Sequence, residues 1–191
     1  MGNRFTATCQ SKREQRQLSA CLNPQQIQLV QDSWSIINND LPKLGVIVFL
    51  RFLEKEPELK TLFPQIIQMN NENKLEWEID KEMLQKHAVT VMEGLGAAVE
   101  SLHDSDFLNS VLISIGQTHI KRHVKPNMLR RLWPALNHGL QETLHENYTK
   151  EVADAWNKVF SYICVYMKHG MEHPEIDFDS EGTHTIKIKK G

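Results

Sequence analysis

The chain has 191 residues and a formal net charge of −2, enough for one domain with a real core plus tails and too mild a charge to argue for nucleic acid. Cys9, Cys21 and Cys164 lie far apart with no CxxC, which argues against a disulfide framework or a zinc knuckle. No uninterrupted apolar run, Val46–Leu50 included, approaches a bilayer span, and the polar N-terminus predicts no secretory signal peptide.

Residues 1–21 read as a polar tail. Met1-Gly2-Asn3-Arg4-Phe5-Thr6 fits the M-G-x-x-x-[ST] pattern, in which the Gly2 amine accepts a myristoyl chain. One acyl chain binds membranes only marginally. Cys9 offers a palmitoylation site as the second signal, and Arg4, Lys12, Arg13 and Arg16 against the lone Glu14 add attraction to anionic lipid. The expectation is a lipid anchor at the cytoplasmic face of the cell membrane; the alternative is a tail that begins with Gly by chance. Cys21, close to the folded part, is a weaker acyl acceptor.

Asn23-Pro24 opens a first helix with Asn23 as N-cap and an inner face of Ile27, Val30, Trp34, Ile37 and Leu41. A second helix carries Val46, Phe49, Leu50 and Leu53 on one face, and Glu56-Pro57 ends it and starts a short third helix through Leu62-Phe63-Pro64. Gln68–Lys74 is Asn-rich and reads as a loop. A fourth helix is predicted from Asp80 to Leu102, followed by a break at His103-Asp104-Ser105 and a fifth helix ending near His119. Lys125-Pro126-Asn127 starts the next, with Leu129, Leu132, Trp133, Leu136, Leu140 and Leu144 inward and a kink predicted at Pro134. Thr149 caps the last helix, whose inner residues are Val152, Ala155, Trp156, Val159, Phe160, Ile163 and Met167. Residues 174–191 read as a disordered polar tail. Thr183–Lys189 alternates like a strand but has no evident partner. The fold class is therefore all-α, seven or eight helices around one layered core, with a folded domain over 22–173.

Two histidines carry the chemistry. His87 lies among Leu84, Ala88, Val91, Met92 and Leu95 at helical spacing, and His119 follows Phe107, Leu108, Val111, Leu112 and Ile115. An imidazole on an apolar face needs a partner, and one iron between the two helices would use both rings. The competing readings are weaker. His119/His123 and His169/His173 are i,i+4 pairs able to chelate zinc, but neither has a third and fourth ligand at sensible spacing. Cys164 reads as an inert small hydrophobe. Asp177-x-Asp179-x-Glu181-Gly182 imitates half of a calcium loop, yet Ile188 stands where the bidentate Glu belongs. Gly94-Leu95-Gly96 is mid-helix, and no G-x-x-x-x-G-K-[ST] is present.

Over residues 22–172 the order of these helices resembles the globin family. The resemblance rests on Trp34 late in the first helix, the run Gly45–Phe52 continuing through Glu56-Pro57-Glu58-Leu59 to Leu62-Phe63, His87 with Val91 one turn on, Ile115-x-x-x-His119, and Trp156. The lipidation-like start is most similar to globin X, the membrane-associated, neuroglobin-like branch. The resemblance implies haem b (iron protoporphyrin IX) without thioether bonds, since no CxxCH is present. It makes His119 the proximal iron ligand through Nε2, with a backbone carbonyl or hydroxyl orienting the other nitrogen. It places Phe63 flat on the porphyrin, Phe49 and Val91 on the distal side, and Ile115, Val124 and Leu129 against the macrocycle. His87 then either hydrogen-bonds bound O2 or ligates iron in a six-coordinate resting state. Thr90 stands where neuroglobin has a Lys, so Lys121, Arg122 and His123 become the candidate propionate partners. The implied ligands are O2, CO, NO or nitrite, with a reductase as possible partner. The implied function is reversible diatomic binding or, alternatively, electron transfer or nitrite reduction to nitric oxide.

Overall fold

A computed structural model describes residues 22–69, 77–178 and 184–186. Gly2, Cys9, Cys21 and the basic tail residues lie outside them, as do most of Gln68–Lys74 and residues 179–183 and 187–191. Among the described residues there are six α-helices: α1 (Pro24–Ile37), α2 (Leu41–Lys55), α3 (Lys81–Glu100), α4 (Ser105–Ile120), α5 (Trp133–Leu144) and α6 (Lys150–Glu172). Tight 3-10 turns join them, the longer ones at Pro57–Leu62 and Pro126–Leu132.

Local chemistry sets the starts. The Asn23 side chain accepts from Gln26 N while Gln26 returns the bond to Asn23 N, a reciprocal cap next to Pro24. Asp40, Asp80, Asp104 and Thr149 cap α2, α3, α4 and α6 in the same way, each side chain accepting from the backbone N–H three residues on.

Five details depart from the sequence reading. Pro134 does not kink a long helix: Pro126–Leu132 is a 3-10 segment, and Pro134 sits in the first turn of α5, where its missing N–H costs nothing. Leu50 is 44 % exposed, because the inner face of α2 runs through Leu44, Gly45, Val48, Phe49, Phe52 and Leu53 and one further residue turns it outward. Phe107 is likewise 55 % exposed; the first turns of α4 bury Ser105, Leu108 and Asn109 instead. Ile67–Met69 pairs antiparallel with Trp77–Ile79 across the expected loop. The strand expected within Thr183–Lys189 does find a partner, as His184–Ile186 pairs with Ile176–Phe178.

The core joins all six helices. Trp156 is fully buried, tilted against Trp34 at 6.0 Å, and its indole N–H donates to Ser33 Oγ at 2.9 Å. Ser33 in turn donates to the Val30 carbonyl at 2.9 Å, so this polar chain is closed inside the core. The tightest contact is between α4 and α6. A Cβ on Gly116 would lie 2.0 Å from the Met167 carbonyl oxygen, and one on Gly170 would lie 2.0 Å from the Ile113 carbonyl oxygen. The two backbones therefore touch where no side chain fits, and Tyr162 adds a hydrogen bond to Asn109 at 2.5 Å.

Gly116→Ala is expected to destabilise the fold by about 2–3 kcal/mol, because both sides of the contact are backbone and cannot yield. Gly94→Ala, with nothing within 4 Å of the added carbon, is expected to stabilise by roughly 0.5–1 kcal/mol through helix propensity. Guanidinium denaturation of both variants checks the contrast; equal midpoints would contradict it.

Candidate cofactor site

The site is built from two clusters on opposite helices. Gly45 lets α2 settle onto α3 at Ala88, since a Cβ there would stand 3.0 Å from the Ala88 carbonyl oxygen. That approach brings Phe49, one turn along α2, against His87. Their ring centroids are 4.9 Å apart at 76°, edge to face. Phe63, delivered by the chain just after the 3-10 turn Pro57–Leu62, meets the same imidazole at 5.6 Å and 68°, and the two phenyl rings lie 6.1 Å apart. His87 is thus held edge-on by two aromatic rings, half-buried.

Burial pushes the pKa of His87 below its ordinary value, and the positive charges of Arg122 and His119 push it the same way. This ring is neutral near pH 7, with a lone pair available. Val91 lies one turn further along α3, half-buried against the core, as does Leu95. Thr90 is exposed and its hydroxyl donates to the Lys86 carbonyl at 3.0 Å.

The second cluster is at the end of α4. His119 Nδ1 lies 2.8 Å from the Ile115 carbonyl oxygen. A carbonyl only accepts, so Nδ1 carries the proton and Nε2 keeps its lone pair. The His119 carbonyl in turn accepts from Arg122 N at 3.0 Å and Val124 N at 3.2 Å. His123 takes a left-handed φ of 61°, which reverses the chain here. Lys121, Arg122 and His123 are exposed, and Arg122 is close enough to His87 to bias its protonation. Beyond the reversal, Val124, Met128, Leu129 and Leu132 are half-buried.

Ring contacts join Phe49, Phe63 and His87, and backbone bonds join Ile115, His119 and Val124. His119 also disfavours the protonated form of His87, after burial and Arg122, which relates the two groups electrostatically. Val91 and Leu129 enter by position and partial burial. The donor set is two imidazoles among half-buried aliphatic and aromatic side chains. This suits a flat apolar macrocycle bearing iron and no charged-oxygen metal such as calcium. The residues present fit a haem.

One element escapes sequence reading. Arg131 donates from Nη2 to both Glu56 and Glu58, tying the 3-10 turn that leads to Phe63 to the segment that carries Met128 and Leu129. An acid pair flanking Pro57 and a distant arginine gave no signal of their pairing. His169 and His173 stack at 4.6 Å with Glu175 at 3.2 Å from His173, yet among the described residues no group of three donors takes a metal-holding arrangement. Cys164 is buried and burial pushes its thiol up to about 11, which keeps it unreactive. No helix among the described residues is long and apolar enough to cross a membrane.

A Globin family model matches residues 47–167. Cytoglobin-1 of Oryzias latipes is 32 % identical over 141 residues, 73 % of this chain and 78 % of that protein. Neuroglobin of Tetraodon nigroviridis is 28 % identical over 143 residues, covering 75 % and 88 %. Among solved structures, a hexacoordinated heme protein from an anhydrobiotic tardigrade, at pH 4, superimposes with a TM-score of 0.68 at 19 % identity, over 79 % of this chain and 96 % of its own. The chain belongs to the globin family. Within that family its similarity runs to cytoglobins and neuroglobins, in keeping with the paired histidines of α3 and α4.

Because the native pKa of His87 is depressed, the native state binds fewer protons there than the unfolded chain. Haem-free protein should therefore hold its full stability above the ordinary histidine range, and lose part of it as pH falls below that range toward the depressed native value. His87→Phe should flatten this acid limb. Thermal midpoints of both proteins between about pH 7.5 and 5 measure the difference, and parallel curves would refute the assignment.

Proposed function

We propose that the chain holds haem b with His119 as proximal ligand and His87 as distal ligand, and binds O2, CO and NO reversibly when His87 gives way. The observation that carries this reading is geometric: the Ile115 carbonyl engages His119 Nδ1 at 2.8 Å and leaves Nε2 as the open ring nitrogen, while Phe49 and Phe63 hold the His87 ring between them. The haem would supply an iron able to take a diatomic ligand and to change oxidation state. Ile115 orients His119, Phe49 and Phe63 hold the plane of His87, and Val91, Val124 and Leu129 present apolar surface to the macrocycle. With Thr90 bonded to its own helix, Arg122 is the nearest candidate for a propionate.

An internal distal ligand lowers apparent affinity for external ligands by the fraction of open sites. Two phenyl edges against His87 favour the closed state, since movement of the ring breaks both contacts. A second reading has its own support. The Arg122 cation felt at His87 favours approach of an anion, so nitrite reduction to nitric oxide, or electron exchange with a reductase, suits the same site.

The absorption spectrum of the ferrous, deoxygenated protein tests the ligand set. Sharp, split low-spin bands are expected. His87→Val should convert them to one broad high-spin band and speed CO binding by about tenfold or more; a parent spectrum already high-spin, or CO kinetics indifferent to the substitution, rejects distal ligation.

The N-terminal pattern supports a membrane location. We read Gly2 as the myristoyl acceptor and Cys9 as the palmitoyl acceptor, anchoring the domain at the cytoplasmic face of the cell membrane. Gly2→Ala with Cys9→Ser should shift the protein from the membrane to the soluble fraction of cells that acylate it. Undiminished membrane association of the double variant would exclude this anchor.

A further inference from the structure

We propose that the domain carries a built-in basic ridge that seats it on an anionic membrane surface with the cofactor site at one end. This rests on the anchor reading above and names the surface that completes it.

The ridge is assembled from exposed bases on neighbouring segments of the fold. It starts just after α4, where Lys121, Arg122 and Lys125 are exposed around the chain reversal that follows His119. It crosses to α6 through Arg130, whose Nη1 donates to Ser161 Oγ at 3.0 Å and whose charge reaches Cys164. One turn earlier on α6, Lys158 Nζ donates to Gln26 Oε1 at 3.1 Å, in the first turn of α1. That is where the tail bearing Arg4, Lys12, Arg13 and Arg16 joins the folded body. The path therefore runs from the mouth of the site to the root of the tail.

Nothing in the sequence of these segments offsets the charge. No Asp or Glu occurs between Asp106 and Glu142, nor between Asp154 and Glu172, although the whole chain has 24 acids against 22 bases. Glu56 and Glu58 do reach the Pro126–Leu132 segment, but both are paired with Arg131.

Headgroups suit this surface better than a protein does. A protein interface centres on buried aromatic or aliphatic anchors. Of the large exposed hydrophobics Ile36, Leu50, Phe107 and Val165, only Val165 lies on this path, one turn beyond Ser161. A field of cations around a single valine matches a phosphate-rich layer, where each Lys or Arg near the surface strengthens binding roughly fivefold.

The test uses the full-length haem-loaded chain made without acylation. Its co-sedimentation is compared on phosphatidylcholine vesicles and on phosphatidylcholine–phosphatidylserine vesicles, roughly two to one, at low and near-physiological salt. Binding only to the anionic vesicles, weakening as salt rises, is expected. Lys125→Glu/Arg130→Glu/Lys158→Glu should weaken it at least about tenfold, while Lys43→Glu/Lys55→Glu/Lys81→Glu changes it less than about twofold. Unchanged Soret spectra of both triple variants verify that each is folded. Equal loss in the two variants, or none in the first, overturns the ridge, as does equal binding to neutral vesicles. A parent that ignores anionic vesicles but forms a salt-sensitive complex with an acidic protein overturns it in favour of a protein partner. The anchor is read separately, by the fractionation of the Gly2/Cys9 variant, so failure of one leaves the other standing.

Discussion

The contact of backbone on backbone between α4 and α6 is the constraint on which the site depends. Gly116 and Gly170 face the carbonyls of Met167 and Ile113 at a separation that excludes any side chain. Gly116 lies on α4 one turn before His119, and Ile115, whose carbonyl fixes the His119 tautomer, is its neighbour. The His119 imidazole is thus attached next to a backbone contact that cannot yield. Deformation on ligand exchange is then left to the other side, where side-chain edges rather than main-chain atoms make the contacts.

That other side is held differently. Phe49 and Phe63 clasp His87 through aromatic edges, and such pairs add only about 0.5–1.5 kcal/mol each beyond their burial. A ring held by two such contacts is oriented but not locked. The Arg131 bridge to Glu56 and Glu58 limits how far the Phe63 segment can swing, because it fastens that segment to the chain leaving α4. On the proposed ligand set, a rigid His119 side and a yielding His87 side are what reversible displacement of an internal ligand requires.

Much of this was legible in the sequence because it rests on local rules. The caps at Asn23 and Thr149 follow from short polar side chains before apolar periodicity, and the buried faces of α1 and α6 follow from spacing alone. Placing His87 and His119 in one pocket took the order of helices as well. The errors have physical causes. Leu50 and Phe107 were assigned inward because hydrophobicity does not report which side of a wide apolar stripe meets the neighbour. Pro134 reads as a kink only if the helix is assumed to begin at Pro126; a 3-10 turn and an α-turn are indistinguishable in sequence. The Arg131 pairing and the Lys158–Gln26 bond join residues far apart in the chain, so only the fold reveals them.

The charges of the α4 exit bear on chemistry and location together. Arg122 adds to burial in disfavouring the protonated form of His87, and it draws anions toward the same opening. On the reading proposed here, its neighbours Lys121, Lys125 and Arg130 turn that opening toward a negatively charged surface. A surface of that sign concentrates protons near itself, so a distal histidine with an ordinary pKa would be protonated more readily there than in bulk water, and lost as a ligand. The depressed pKa of His87 offsets that tendency. The packing of Phe49 and Phe63, which removes water from the ring, therefore does two jobs: it orients the imidazole and it protects ligation in the acidic layer where the domain is proposed to sit.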